Sequence, residues 1–388
     1  MTSRERVQAA LRHEEPDRVP LDLGGNQSGI TCGAYEALLR ALGRDEELVV
    51  MDTVQQLAQP SDAVLDLLGV DTRYLRAKGA ESAPVRFEEQ VIRGRPYLSM
   101  TDEFGVVWSR PLPDGLYHDI THHPLAGATT VAEIEAYPWP DGGDPTRFAD
   151  LADEAAKLRA ATDQAICTGI SGVVYEYCWY LLGFARFYEA LVTEPHLVEA
   201  LLEQTLRYWL DFETGFLAAV GPHVDVVMVG DDLAGQEGPL LSPTLYRRLV
   251  KPRQARLYEL IHARTNAKLW YHSCGAIREL IPDLIEIGVE IINPVQVSAR
   301  GMDSADLKRQ FGREVVFWGG GCDTQHVLPH GTPEEVRAEV ARRKGDLAPG
   351  GGFVFTAVHN IQSDVPAANV LAMYEEARAS SRTTAWTG

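Results

Sequence analysis

The sequence predicts an α/β chain wound as a single (β/α)8 TIM barrel. Eight apolar runs, VPLDLG, VDTRYL, AICTGIS, VDVVMVG, AKLWYHS, EIINPV, VVFWGG and FVFTAV, mostly alternate with helical patterns. Polar, reactive residues gather at the C-terminal ends of these runs, while the opposite ends carry mostly glycine, proline and helix-terminal charges. No G-x-G-x-x-G follows the first run, which argues against the alternative, a doubly wound open sheet.

The elements follow in order. Thr2 to His13 reads as a capped amphipathic helix with Val7, Ala10 and Leu11 on one side. The first strand, VPLDLGGN, runs into a glycine loop, and helices at about Ala34–Leu42 and Ser61–Leu68 precede the second strand, VDTRYLR. Residues 77–140 break the rhythm. There VRFEEQVIRGRPYLSMTDEFGVVWSRPL alternates apolar and polar residues around R-G-R, the pattern of antiparallel ribbons, and is read as an inserted lid. After the helix DPTRFADLADEAAKLRAAT and the strand AICTGIS, YEYCWYLLGFARFYEALV reads as one helix, with a leucine-rich helix onward to Ala219. The strand VDVVMVGDD leads to SPTLYRRLVKPRQARLYELIHAR, helical despite Pro252. Strands AKLWYHSCG, VEIINPVQ, EVVFWGGGC and GGFVFTAVHN then alternate with helices IRELIPDLIEIG, DSADLKRQFG and TPEEVRAEVARRKGDLA. PAANVLAMYEEARASS closes the chain, with a polar tail at 378–388.

Composition narrows the class. The 388 residues are read as one barrel domain, 1–388, of ordinary globular composition. A net charge of −19 argues against nucleic acid or an anionic membrane as partner, since both need clustered Lys and Arg. No stretch approaches the ~20 apolar residues that span a bilayer. The charged N-terminus has no apolar signal core, and the chain is read as cytoplasmic. Five scattered cysteines make no disulfide framework. Symmetry base rates admit a homodimer.

The chemistry centres on AKLWYHSCG. On a strand, residues i and i+2 share a face, so His272 and Cys274 project together with Trp270 one step behind. Such a pair makes half of a zinc site, and Cys322, closing VVFWGGGC, is the expected third ligand. Two thiolates and an imidazole suit zinc better than magnesium or calcium. A partly buried cysteine pair beside a hydrogen-bonded histidine is the plain alternative. The other strand ends offer Asn26, Tyr175, Glu176, Asp231, Asp232, Asn293, Gln296, Gln325, His359 and Asn360. One of Asp231 and Asp232 should enter the mouth as general acid or hydrogen-bond partner, unless both serve a turn. His359 is a candidate for substrate or metal, or merely caps a strand. Glu176 opens a helix, where an acid also complements the dipole. His118, His122 and His123 form a second histidine cluster, more simply read as a solvated loop.

These residues carry a resemblance. RERVQAALRHEEPDRVP, GDDLAGQEGPLLSP, YHSCGAIRELIPDLIEIGVEIINPVQ, FWGGGCDTQHVLPHGTPEEV and GGFVFTAVHNIQSDVPAANVLAMYEE resemble the uroporphyrinogen decarboxylase superfamily, within it the zinc-dependent corrinoid methyltransferase branch. The resemblance implies a (β/α)8 barrel. Members that decarboxylate uroporphyrinogen carry an Arg-rich segment after the first strand, whereas this chain has LDLGGNQSGI. Methyltransferases of the family carry H-x-C and a later Cys as zinc ligands, which His272, Cys274 and Cys322 match. By that resemblance, zinc activates a thiol or a leaving heteroatom, and a methyl group moves between a small molecule and a corrinoid. Asp231 or Asp232, Glu176 and His359 would shape the pocket. No D-x-H-x-x-G stretch is present, so the corrinoid would come on a partner protein. Two other readings stay open: a metal-independent decarboxylase or lyase using Asp231 or Asp232 and His359 on a small carboxylate, and a non-catalytic ligand-binding barrel.

Overall fold

Seven short parallel strands, each buried on both faces, organise the chain. In the computed structural model, which describes residues 1–379, they are β1 (Thr72–Leu75), β2 (Ala165–Ser171), β3 (Val226–Gly230), β4 (Lys268–His272), β5 (Ile291–Asn293), β6 (Val316–Trp318) and β7 (Phe353–Val354). They pair side by side in chain order, and the seven-stranded sheet curls into a half-barrel. Strand alternation sorts the side chains. Cys167, Met228, Trp270, Ile291, Trp318 and Val354 point inward and form an apolar cluster of their own. Ile166, Val227, Leu269, Tyr271, Ile292 and Phe317 point outward into the larger core beneath the helices. Val7 and Ala10 of the first helix, Ser3–Leu11, pack into the inner cluster. Its expected cap is present, with Thr2 and Glu5 forming a reciprocal capping box.

The first predicted strand, VPLDLG, makes only one bridge, Leu21 to Phe355. Pro20 lacks an N–H and so shortens the ladder. The segment still reaches both sheet edges. Asp22 N–H donates to Phe355 (2.8 Å) and Asp71 N–H donates to the Leu21 carbonyl (2.8 Å). Asp71 anchors it further. Its fully buried carboxylate accepts from Arg6 Nη1 (2.7 Å), Arg18 Nη1 (2.7 Å) and Leu21 N–H (2.8 Å).

The expected ribbon region is a four-stranded antiparallel sheet, Arg86–Ile92, Arg95–Thr101, Val107–Pro111 and Asp119–His122. Phe104, in the turn between its second and third strands, packs against Tyr177 and Tyr208 with ring centroids 4.4 and 4.6 Å away. Two other elements depart from expectation, and the helix expected to run through Pro252 does so with a local change. The single helix expected after β2 is two, Glu176–Leu182 and Phe184–Thr193, parted at Gly183. Pro252 cannot donate a helical hydrogen bond, and the helix absorbs it by widening to i→i+5 bonding over Tyr246–Val250 before Lys251–Arg264. EVVFWGGGC stops being a strand at Trp318, because Gly319 (φ +95°) and Gly320 (φ +86°) take the left-handed region and turn the chain. The polar tail lies, from residue 380 onward, outside the described residues. No helix among the described residues is long and apolar enough to cross a membrane.

Asp71→Ala leaves Arg18 without a carboxylate partner and Arg6 with Asp17 alone, and breaking a buried pair costs about 3 kcal/mol. The thermal-unfolding midpoint should therefore fall clearly; an unchanged midpoint would remove Asp71 from the fold's anchors.

Candidate metal centre

His272 ends β4 with its ring on the concave face, stacked on Trp270 at 5.9 Å and 19°. Strand register sets Asn293 of β5 beside it. Asn293 Nδ2 donates to the Trp318 carbonyl (2.7 Å), which turns its Oδ1 toward His272 Nδ1 (2.6 Å). This network assigns the proton to Nδ1 and leaves the Nε2 lone pair free. Cys274 follows just beyond the strand. Its N–H donates to Asp232 Oδ1 (2.7 Å), and the next N–H, of Gly275, donates to Gln296 Oε1 (2.5 Å). So held, Cys274 Sγ lies 3.4 Å from His272 Nε2.

His359 completes the group. Its neighbour Asn360 accepts from Gly29 N–H (2.6 Å) and donates to the Asn26 carbonyl (2.8 Å) and Gln55 Oε1 (2.8 Å). On its other side, Val358 N–H donates to the Cys322 carbonyl (3.0 Å). The His359 ring lies edge-on to His272 with centroids 5.6 Å apart. One ligand atom from each of His272, Cys274 and His359 lies within 4.8 Å of the other two. Ligands around a tetrahedral ion with bonds of ~2.0–2.3 Å stand roughly 3.5 Å apart. The donor set therefore fits a zinc-sized ion after small side-chain movement.

Cys322 is the correction. It is fully buried in the outer core, and the charges acting on its thiol are Glu339, Asp323 and Arg343, two of them on the helix Pro333–Leu347. Burial pushes that thiol well up. The Gly319–Gly320 turn is the reason: the two-residue alternation that would have aimed Cys322 inward ends at Trp318. The side chain that stands with His272 and Cys274 is His359.

Electrostatics favour a cation here. Burial lowers the His272 pKa, and burial together with His272 lowers that of His359 to about 4, so both imidazoles are neutral donors at pH 7. Burial, then Asp232 and Glu176, push the Cys274 thiol well up. A positive ion would reverse that. Asp232 borders the group, its Oδ1 3.6 Å from His272 Nε2. Glu176 stands near it, its carboxyl raised by burial and by Asp232, with Tyr180 donating to Oε1 (3.1 Å).

Of the acidic pair, Asp232 faces the site and Asp231 faces away. Asp231 accepts from the N–H groups of Tyr175 (2.7 Å) and Glu176 (2.9 Å) and from Gln254 Nε2 (2.9 Å). Burial raises it to about 7, and its role is to seat Glu176. Tyr175 is fully buried, its hydroxyl on Tyr188. Trp270 is buried below His272, and Asn26 donates to Asp52 (3.1 Å). Gln325 is exposed. The second histidine cluster does not converge: His118 Nδ1 meets the Thr53 carbonyl (3.0 Å), His123 Nδ1 meets the Tyr180 carbonyl (2.7 Å), and His122 is exposed. Asp22 escaped the sequence reading. It is fully buried and accepts from Thr72 (2.6 Å), Tyr74 (2.8 Å) and Trp318 Nε1 (2.8 Å). Its position on the first inward run was the available signal.

Fold and donor set together define a class: a curled α/β sheet with a metal-ready group at its strands' C-terminal ends. Residues 122–380, more than half of the chain, match the family described as Uroporphyrinogen decarboxylase (URO-D), and the chain belongs to that family. Among solved structures, a methyltransferase from Methanosarcina mazei aligns over 97% of this chain and 98% of its own, with TM-score 0.61 and 18% identity, and shares the fold. A GH113 beta-mannanase from Alicyclobacillus acidocaldarius aligns over 66% of this chain and 94% of its own at TM-score 0.37 and 13% identity, a likeness too low to carry an argument. No curated protein matches the chain.

Replacing the residue that orients a metal-ligating histidine weakens metal binding roughly 10–100-fold. Asn293→Ala should weaken zinc binding by that factor in competition with a chromogenic chelator. Unchanged affinity would show that His272 Nε2 is not a ligand.

Proposed function

We propose that this chain is a zinc-dependent methyltransferase that moves a methyl group between a small molecule and a corrinoid carried by a separate protein. The observation that carries this reading is the convergence of His272 Nε2, Cys274 Sγ and His359 at one end of the half-barrel. Support comes from the family and from the fold shared with the Methanosarcina mazei methyltransferase. On this reading the seven-stranded sheet and the segment around Leu21 act as a (β/α)8 barrel, and the antiparallel ribbon is its lid.

His272, Cys274 and His359 would hold the ion. Bound there, zinc would supply Lewis acidity, lowering the pKa of a thiol or drawing charge from the heteroatom that loses its methyl group. The chain's own residues supply the rest. Asn293 keeps the His272 proton on Nδ1. Asp232 fixes the Cys274 backbone through Oδ1. Glu176, seated by Asp231, brings a second carboxyl group to the same rim, where it can hold a proton beside the leaving heteroatom. The inner apolar cluster under Trp270 keeps water from the donors' far side. The corrinoid protein would dock over this face.

The test uses cob(I)alamin with methylated thiols, amines and aryl ethers, and methylcob(III)alamin with thiols, followed by visible absorbance. Turnover should vanish on chelation, return with zinc, and fall at least about 100-fold in His359→Ala. Full turnover by chelated protein, or no turnover by zinc-loaded protein with any of these pairs, would contradict the proposal.

A further inference from the structure

Arg76 directly follows β1, two residues beyond Tyr74, so it shares the inward face on which Tyr74 packs against the inner cluster. The β1–β2 register places it opposite Gly169, where an added Cβ would come within 2.9 Å of its Cγ. The glycine is thus what lets the arginine cross the wall. Its guanidinium carbon lies 5.1 Å from the centroid of the Tyr74 ring, and Nη2 donates to the Gly24 carbonyl (2.5 Å). Nε is sealed from water with no hydrogen-bond partner.

The charge is what sets this side chain apart. Arg6, Arg73, Arg147 and Arg343 are buried and each is ion-paired to a carboxylate, whereas Arg76 is half-buried. Among the described residues, Arg76 has no carboxylate within ion-pairing distance. The nearest acids acting on it, Asp52 and Asp22, are already committed: Asp52 to Asn26 and Gln55, Asp22 to Thr72, Tyr74 and Trp318. Burial accordingly pushes the Arg76 pKa down. A sheltered cation with spare donors and no carboxylate in direct contact gains from an anion that arrives to pair with it.

We propose that Arg76 is a carboxylate-binding residue of the substrate site, and that the small molecule is a methylated carboxylic acid. The assignment of the methyl-transfer reaction to the triad is the reading on which the word methylated rests; the carboxylate contact does not need it. Arg76 and His272 lie on β1 and β4, three strand spacings or about 14 Å apart along the curved wall and less across it. Tyr74, whose ring the Arg76 guanidinium faces, donates to Asp22; Asp22 also accepts from the Trp318 indole, and the Trp318 carbonyl accepts from Asn293 beside His272. A substrate with its acid on Arg76 can thus present its other end toward the triad.

Ligand-induced thermal shifts and calorimetric titration with methoxyacetate, 4-methoxybenzoate and N,N-dimethylglycine, each beside its primary amide, test this in the full chain. At least one acid should bind the wild type about ten-fold tighter than its amide. Arg76→Met should abolish that preference and Arg76→Lys should retain part of it. Because Arg76 has no ion pair to lose, Arg76→Met should keep or raise the ligand-free midpoint, which a structural arginine would not allow. Equal binding of every acid and amide, or a preference that survives Arg76→Met, overturns the proposal. Binding is read without turnover, so an acid preference in a protein that transfers no methyl group would sink the methyltransferase reading and leave Arg76 standing.

Discussion

One amide decides what the centre can bind. Asn293 gives its N–H to the Trp318 carbonyl and so can only accept from His272, and His272 can then offer only Nε2 to an ion. The sheet makes this arrangement unavoidable. Neighbouring parallel strands bring His272 and Asn293 into register, and the next strand supplies the carbonyl of its last residue. Cys274 and His359 converge on a lone pair that three adjacent strands have already aimed.

The same wall carries opposite preferences at its two ends. Around the triad, two neutral imidazoles and a protonated thiol sit beside Asp232 and Glu176, a setting that a cation relieves. Across the concave face, Arg76 has donors and a charge but no paired carboxylate, a setting that an anion relieves. Between them the buried Asp22 ties Tyr74, Thr72 and Trp318 together. A wall polarised in this way would orient a bound molecule as well as hold it.

How much of this could be read beforehand depended on distance along the chain. The strand–helix alternation, the Thr2 cap and the His272–Cys274 pair are local patterns, and local geometry settles them. Cys322 shows where local reasoning stops. Three consecutive glycines after Trp318 allow the chain to leave the strand, and with the strand goes the rule that assigns a side chain to a face. His359 was legible as a candidate only, because it lies five residues past a two-residue strand and is placed by Asn360 bonding to a loop more than three hundred residues earlier. Asp231 and Asp232 differ in the direction they face, and their partners, Gln254 and Cys274, come from separate elements. The Asp71 anchor likewise depends on arginines brought from another part of the chain.

X-ray absorption at the zinc edge of the loaded protein measures the centre most directly. One sulfur and two imidazole nitrogens per zinc, with the sulfur signal lost in Cys274→Ser, is the result this account predicts. Two sulfurs per zinc, one of them lost in Cys322→Ser, would contradict it.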